Sequence, residues 1–333
     1  MVKTFKHIVN LADSKSTIRP CDLEDGYMNE SLHVMNILNA QTEIVTSISQ
    51  QANITLHQSI FTSAALASVQ ELTYLLVENS IPQAKGMKNS YTLSEIGLMA
   101  FPTGDKTFIP SMYVTKQWEP KQTEIFRSIV PRGGTFLDLG AHVGWHTFSV
   151  ARFVPEVTVI SVEASEKNAK IFELNRILLG LEDARIVLIN SAAWNRNELL
   201  TIEFPDKSNS GDTRVASNSE ENTIHVNGLR LDDLDIIQKS RIDVIKSDLQ
   251  GVDQFALEGL SETISRHRPT IIVEFWPEGI LRTGSEPLEV LKFYRSLGYE
   301  IYDLDKNKFD DRTIDLLIAD GPPTDTDLLL LPL

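Results

Sequence analysis

The chain has 333 residues, 42% of them hydrophobic and 23% charged, which suits a soluble globular protein of one large domain plus an appendage, or of two domains. Its 46 acidic against 31 basic residues give a net charge of −15, which argues against a nucleic-acid substrate because phosphate binding needs a basic face. The single cysteine, Cys21, excludes an internal disulfide and a cysteine-rich metal site.

The N-terminus lacks the long apolar run of a signal peptide, and no stretch reaches the roughly 20 apolar residues of a membrane span, so a cytoplasmic protein without a membrane span is expected. Residues 1–26 read as an irregular polar arm. Tyr27 to Ile81 contains no glycine or proline, and its spaced apolar residues predict two or three amphipathic helices. These form either a cap on the catalytic domain or a surface for dimerisation or substrate recognition, with a homodimer through residues 27–81 as one outcome. Residues 82–117, punctuated by Pro82, Gly86, Pro102, Gly104 and Pro110, read as a linker with short strands at Thr107–Ile109 and Met112–Val114. The domain division follows: an N-terminal helical region and linker over 1–117, and a catalytic domain over 118–333.

From about Pro120 to Ile129 a helix leads into the most informative segment, Thr135-Phe-Leu-Asp-Leu-Gly-Ala-His-Val-Gly-Trp-His146. This is a buried strand, a glycine turn and a helix start. Asp138 ends the strand, and Gly140 and Gly144 flank a turn that brings backbone close to a bound nucleoside. The next strand ends in Glu163, 19 residues after Gly144, which suits a carboxylate gripping ribose hydroxyls. His142 occupies the position where a dinucleotide site has its second glycine. A nicotinamide dehydrogenase is thereby disfavoured. An adenosine carrying a cationic centre fits better, namely S-adenosylmethionine (SAM), with S-adenosylhomocysteine (SAH) as product.

Beyond Gly134 strands and helices alternate, predicting an α/β doubly wound, Rossmann-like, seven-stranded mostly parallel sheet. The strands are placed at 135–139, 157–163, 185–191, 242–248, 270–275, 299–303 and 313–319, the last two antiparallel. Helices are placed at 143–153, 166–179, 253–267 and 286–297. A hairpin strand at Leu199–Phe204 precedes the polar stretch Pro205–Asn222, read as a mobile loop beside the site. The tail Leu328–Leu333 reads as an edge strand or contact patch. Asp138, Glu163, Ser191, Asp248 and Glu274 all fall at or near the carboxyl ends of strands, where ligands of such sheets bind.

The chain resembles the FkbM-type SAM-dependent methyltransferases over about residues 118–305. The resemblance is carried by Asp138-Leu-Gly-Ala-His-Val-Gly144, Val162-Glu-Ala164, Asn190-Ser-Ala-Ala193, Leu231-Asp-Asp-Leu234, Ile245-Lys-Ser-Asp-Leu-Gln-Gly251 and Arg268-Pro-Thr-Ile-Ile-Val-Glu274. It implies a class I methyltransferase, usually an O-methyltransferase of secondary metabolism or sugar modification, acting on a small polar metabolite, sugar or peptide. The alternative is a SAM-binding, non-catalytic partner subunit that interacts through its N-terminal helices. One departure stands out: the family's Lys-x-Asp-x-Glu-Gly block has Gln250 in place of the Glu.

On this reading Gly140 and the backbone of Ala141 and His142 cradle the methionine half of SAM, with Gly144 closing the turn. Asp138 orients the turn, accepts from the SAM ammonium, or caps the following helix. Glu163 accepts the ribose hydroxyls, and Ala164, Ser165, Asn190, Ser191 and Ala192 lie near the adenine edge. Glu119 resembles a family glutamate that closes over SAM, or is a plain helix-start acid. Asp248 borders the cofactor and, with Lys246, leads as the base for an alcohol nucleophile. Glu274 binds substrate or serves as base, and His146 is a further catalytic candidate. Asp248, Asp253 and Glu274 invite a test for a metal, but their spacing is no motif and Gln250 weakens it, so no metal is expected.

Overall fold

The computed structural model describes residues 86–87, 89–182, 185–203, 211, 214–215, 223–310 and 326–333, all within the unit Ile81–Leu333. The expected arm, the helices of 27–81, nearly all of the loop 205–222 and the strand at 313–319 lie outside the described residues.

The segment read as linker is more regular than its prolines suggest. A hairpin of β1 (Asn89–Ser94) and β2 (Gly97–Pro102) turns at Glu95–Ile96, with Ser94 opposite Gly97. The two strands expected next are instead one helix, α1 (Phe108–Thr115). Asp105 Oδ1 accepts from the amides of Thr107 (2.9 Å) and Phe108 (2.6 Å), and this satisfaction of helix-start donors outweighs the strand preference of Phe, Ile, Tyr and Val. Asn175 pins the hairpin to the body: its Oδ1 accepts from Ala100 N (2.6 Å), and its Nδ2 donates to Ala100 O and Val143 O.

After α2 (Pro120–Ile129) come β3 (Thr135–Leu139), α3 (Trp145–Phe153), β4 (Thr158–Val162), α4 (Glu166–Leu178) and β5 (Ile186–Ile189). A smaller sheet interrupts, made of β6 (Ala192–Trp194), β7 (Glu198–Glu203), β8 (Arg214–Val215) and β9 (Thr223–Arg230) in the order β6-β9-β7-β8. The chain then runs through α5 (Asp235–Lys239), β10 (Val244–Ser247), α6 (Asp253–Glu258), α7 (Ser261–His267), β11 (Thr270–Phe275), α8 (Pro277–Arg282), α9 (Pro287–Ser296), β12 (Tyr299–Tyr302) and β13 (Thr326–Pro332). The single helix expected over 253–267 breaks at Gly259, where a Cβ would lie 2.0 Å from Trp194 O. That close approach of β6 leaves room for no side chain.

The main sheet has seven strands in the order β12-β13-β11-β10-β3-β4-β5. β10 pairs parallel with β11 and β3, as do β3 with β4 and β4 with β5. β13 alone runs antiparallel, between β11 and β12. The tail is therefore interior, not an edge. Leu328 and Leu330 enter the core on one face of the sheet, and Leu329 enters the core on the other. A run of leucines is stable only where both faces are covered. Chain order reverses between β3 and β10, which opens a crevice at their carboxyl ends. Among the described residues no helix is long and apolar enough to cross a membrane.

Candidate functional site

The turn after β3 owes its path to backbone that only glycine accommodates easily. Gly140 (φ 76°) and Gly144 (φ 93°) are left-handed, and so is His142 (φ 51°). A Cβ on Gly140 would stand 2.1 Å from Asp248 O, and one on Gly144 would stand 2.2 Å from the Phe148 ring. The amides of Gly140 and Ala141 both donate to Val162 O at 3.0 Å, tying the turn to the end of β4. Beneath it Asp138 is wholly buried and accepts from Thr147 Oγ1 at 2.7 Å, and Thr147 in turn meets Ser161 Oγ at 2.7 Å.

Glu163, directly after β4, is 6% exposed and lines the cavity. Its Oε2 accepts from His142 N (2.8 Å), and its Oε1 accepts from Ser165 N (2.9 Å) and Asn168 Nδ2 (3.4 Å). Burial raises its pKa, and the hydrogen bonds from Ser165 and His142 oppose that rise. A carboxylate offers about four lone-pair sites, so this one braces the turn and the start of α4 with acceptor capacity left over. Asn190 Nδ2 donates to Glu163 O at 2.7 Å, fixing the chain at this point. Nearby Ser191 Oγ is buried with no hydrogen-bond partner among the described residues.

Lys246 is the buried cation at the reversal point. It is 3% exposed, donates to Gly140 O at 3.2 Å, and lies 3.5 Å from both Asp138 Oδ1 and Asp248 Oδ2. Burial works against its charge, but Asp248, Asp138 and Glu119 together outweigh it and raise its pKa. Lys246 is thus held protonated, which suits it to charge balance and not to proton abstraction.

Two further acids crowd the same end of the sheet. Asp253 Oδ1 accepts from Ser247 Oγ (2.6 Å) and Leu249 N (3.1 Å), so it braces the loop after β10. Asp327, opposite Glu274 in the β11–β13 register, accepts from Gln122 Nε2. Burial above all, with Glu119 and Asp248 adding for Asp327 and Asp248 for Asp253, pushes both carboxyls up to about 7 from 3.8. Between about pH 4 and pH 7 the unfolded chain has released these protons while the folded chain keeps them, so they lower stability as pH rises through that window. The melting temperature of Asp327→Asn is therefore expected to gain on that of the unaltered protein as pH rises from about 5 to 8. Equal pH slopes in the two proteins would contradict this.

The cavity measures about 460 Å³. Its far half is bounded by Gln250, Glu274, Trp276, Val252, Ile202 and Arg214, so the smaller sheet supplies part of the wall. Gln250 Nε2 donates to Asp248 Oδ1 (3.2 Å) and to both oxygens of Glu274 (3.3 Å each). Arg214 and Arg282 both stack on Trp276, at 4.8 and 4.9 Å from its ring centre. His146 Nε2 is paired with Glu119 Oε2 at 2.9 Å, while its Nδ1 is buried with no hydrogen-bond partner among the described residues. His142 packs on Phe108 (4.8 Å), and burial lowers its pKa to about 4, keeping it neutral.

Of the residues singled out in the sequence, Glu119, Gly140, Ala141, His142, His146, Glu163, Ala164, Ser191, Ala192, Lys246, Asp248 and Glu274 line this one cavity. Asp138, Gly144, Ser165 and Asn190 stand behind its wall; Ser165 Oγ caps α4 by accepting from Asn168 N. Asp253 points to Ser247 and Leu249, away from Glu274, and among the described residues no group of three His, Cys, Asp or Glu side chains is arranged to hold a metal. The aromatic lining of Phe108, Trp118, Trp145, Trp194 and Trp276 escaped sequence reasoning, as did Arg214 and the nearby acid Asp327. Phe108 and Trp118 stack at 3.9 Å, and adjacency of Trp118 to Glu119 was the available signal.

Residues 138–301 match the family described as the methyltransferase FkbM domain. Similar solved structures include methyltransferase FkbM from Methylobacillus flagellatus KT, with 14% identity and a TM-score of 0.39 over 62% of this chain and 50% of that one. This chain thus spans half the length of that protein. A SAM-dependent methyltransferase from Aquifex aeolicus has 13% identity and a TM-score of 0.37, over 67% of this chain and 94% of that one. An O-methyltransferase from Bacillus cereus in complex with SAH has 18% identity and a TM-score of 0.37, over 67% and 86% respectively. No curated protein matches the sequence.

Proposed function

We propose, from the premise that residues 138–301 of this chain are an FkbM methyltransferase domain, that the cavity binds SAM and serves transfer of its methyl group to a hydroxyl. The acceptor is a small polar metabolite, sugar or peptide of secondary metabolism. The observation that carries this reading is the Glu163 carboxylate on the cavity wall, tied to the turn amide of His142. The Ser191 hydroxyl, which has no hydrogen-bond partner among the described residues and shares the wall with the small side chains of Ala164 and Ala192, fits the flat edge of an adenine.

When bound, SAM supplies an electrophilic methyl group on a sulfonium. The chain's part is positioning and charge. Glu163 would hold the ribose, and the Gly140–His142 turn would hold the methionine half. Lys246, 3.5 Å from both Asp138 and Asp248, ties the two acids together at the reversal point beside the cavity. Glu274, joined to Asp248 through Gln250 Nε2, would take up the proton of an acceptor hydroxyl as its oxygen bonds to the methyl carbon and the methyl–sulfur bond breaks, with SAH as the leaving group. The Glu119–His146 pair closes the wall beside α2.

Titration calorimetry tests the first half of this proposal: the protein should bind SAM and SAH at one site per chain and bind NAD more weakly. No heat and no rise in melting temperature with either ligand would end it. Mass spectrometry of metabolite extracts incubated with isotope-labelled SAM then identifies the acceptor.

A further inference from the structure

Asp248 and Glu274 sit at the ends of neighbouring strands, and one amide group joins them. Gln250 Nε2 lies 3.2 Å from Asp248 Oδ1 and 3.3 Å from each Glu274 oxygen. An amide nitrogen is a donor only, so both carboxylates accept from it. The backbone holds Gln250 there at a cost. Its φ is 56°, and Gly251 follows at 89° with space for no Cβ, since one would lie 2.4 Å from Gly279 C. A left-handed glutamine is strained, and such strain gathers where a side chain must point one way.

We infer that Gln250 is a specificity-determining residue that reserves this half of the cleft for the hydroxyls of a neutral acceptor by denying it to a divalent cation. A carboxylate at position 250 would put a third acid within reach of Asp248 and Glu274. Three acids so close either take up a proton or bind a hard cation through oxygen. The amide instead donates to both acids and holds them together. The choice of acceptor class rests on the methyl-transfer reading; the exclusion of cations does not.

Manganese(II) titration followed by the electron paramagnetic resonance of the free ion tests the inference with no cofactor present, so its outcome is separate from that of SAM binding. The unaltered protein and Gln250→Leu should leave the signal unchanged. Gln250→Glu should bind one Mn²⁺ at least about tenfold tighter than either, and the added change Glu274→Gln should abolish that gain. Circular dichroism checks that each variant is folded. Binding of Mn²⁺ by the unaltered protein as tight as by Gln250→Glu would overturn the inference. So would a folded Gln250→Glu that binds no better. Should Gln250→Glu fail to fold, the unaltered protein alone decides, through whether it takes up the ion.

Discussion

Glu163→Ala is expected to weaken SAM binding by about 30- to 150-fold, the equivalent of roughly 2–3 kcal/mol for leaving a buried ribose hydroxyl donor unpaired. The same change strips acceptors from His142 N, Ser165 N and Asn168 Nδ2, so it will also lower the melting temperature. The two effects must be separated, because a carboxylate that only braces the turn would destabilise without contributing to a ligand. Glu163→Gln does so. It keeps the shape and one acceptor oxygen, but turns an N–H group towards one backbone amide and offers the ribose one acceptor fewer. Calorimetry well below the melting temperature of each variant should give an affinity order of unaltered protein, then Gln, then Ala. If both variants melt lower yet bind SAM with unchanged affinity, Glu163 is a brace alone and the proposed cofactor site is wrong.

What could be read from the sequence follows from how local each signal is. The β3–turn–α3 unit was legible because five buried residues, a glycine turn and a helix start lie within a dozen positions. Convergence of Glu163, Asp248 and Glu274 on one cavity follows from the parallel pairing of the strands that carry them. The misreadings are non-local. Leu328–Leu331 has no alternation, so nothing near it says whether one face or both are covered; only its pairing with β11 and β12 does. Asp327 gains its place beside the cleft through that antiparallel register, opposite Glu274. Residues 108–115 look like strand by composition, and the Asp105 carboxylate that starts the helix lies outside them. Gln250 was noticed as a departure from a pattern, but its role as a bridge depends on two strands and a strained backbone.

Lys246→Met should destabilise the fold by about 3–5 kcal/mol, as expected when one member of a buried ion pair is removed and the other is left uncompensated. Methionine fills similar volume, so lost packing is a small part of the effect. The larger part is Asp138, 0% exposed, whose Oδ1 has no hydrogen-bond partner among the described residues and lies 3.5 Å from the ammonium. In the unaltered protein the raised pKa of Lys246 means its contribution is complete below the ordinary lysine value of 10.5 and fades only as pH rises through the folded value. In the variant the sign moves to the acid. An orphaned Asp138 has a folded pKa above its unfolded one, so it takes up a proton on folding, and the deficit should shrink as pH falls. Urea denaturation at about pH 8 and again at about pH 5 measures this directly, with the larger loss at the higher pH. Adding Asp138→Asn should recover part of the loss, because the two residues are directly coupled. A deficit independent of pH and unrelieved by Asp138→Asn would mean that Lys246 stabilises through its stem and not its charge. Its role as the charge partner of the cleft's carboxylates would then have no support.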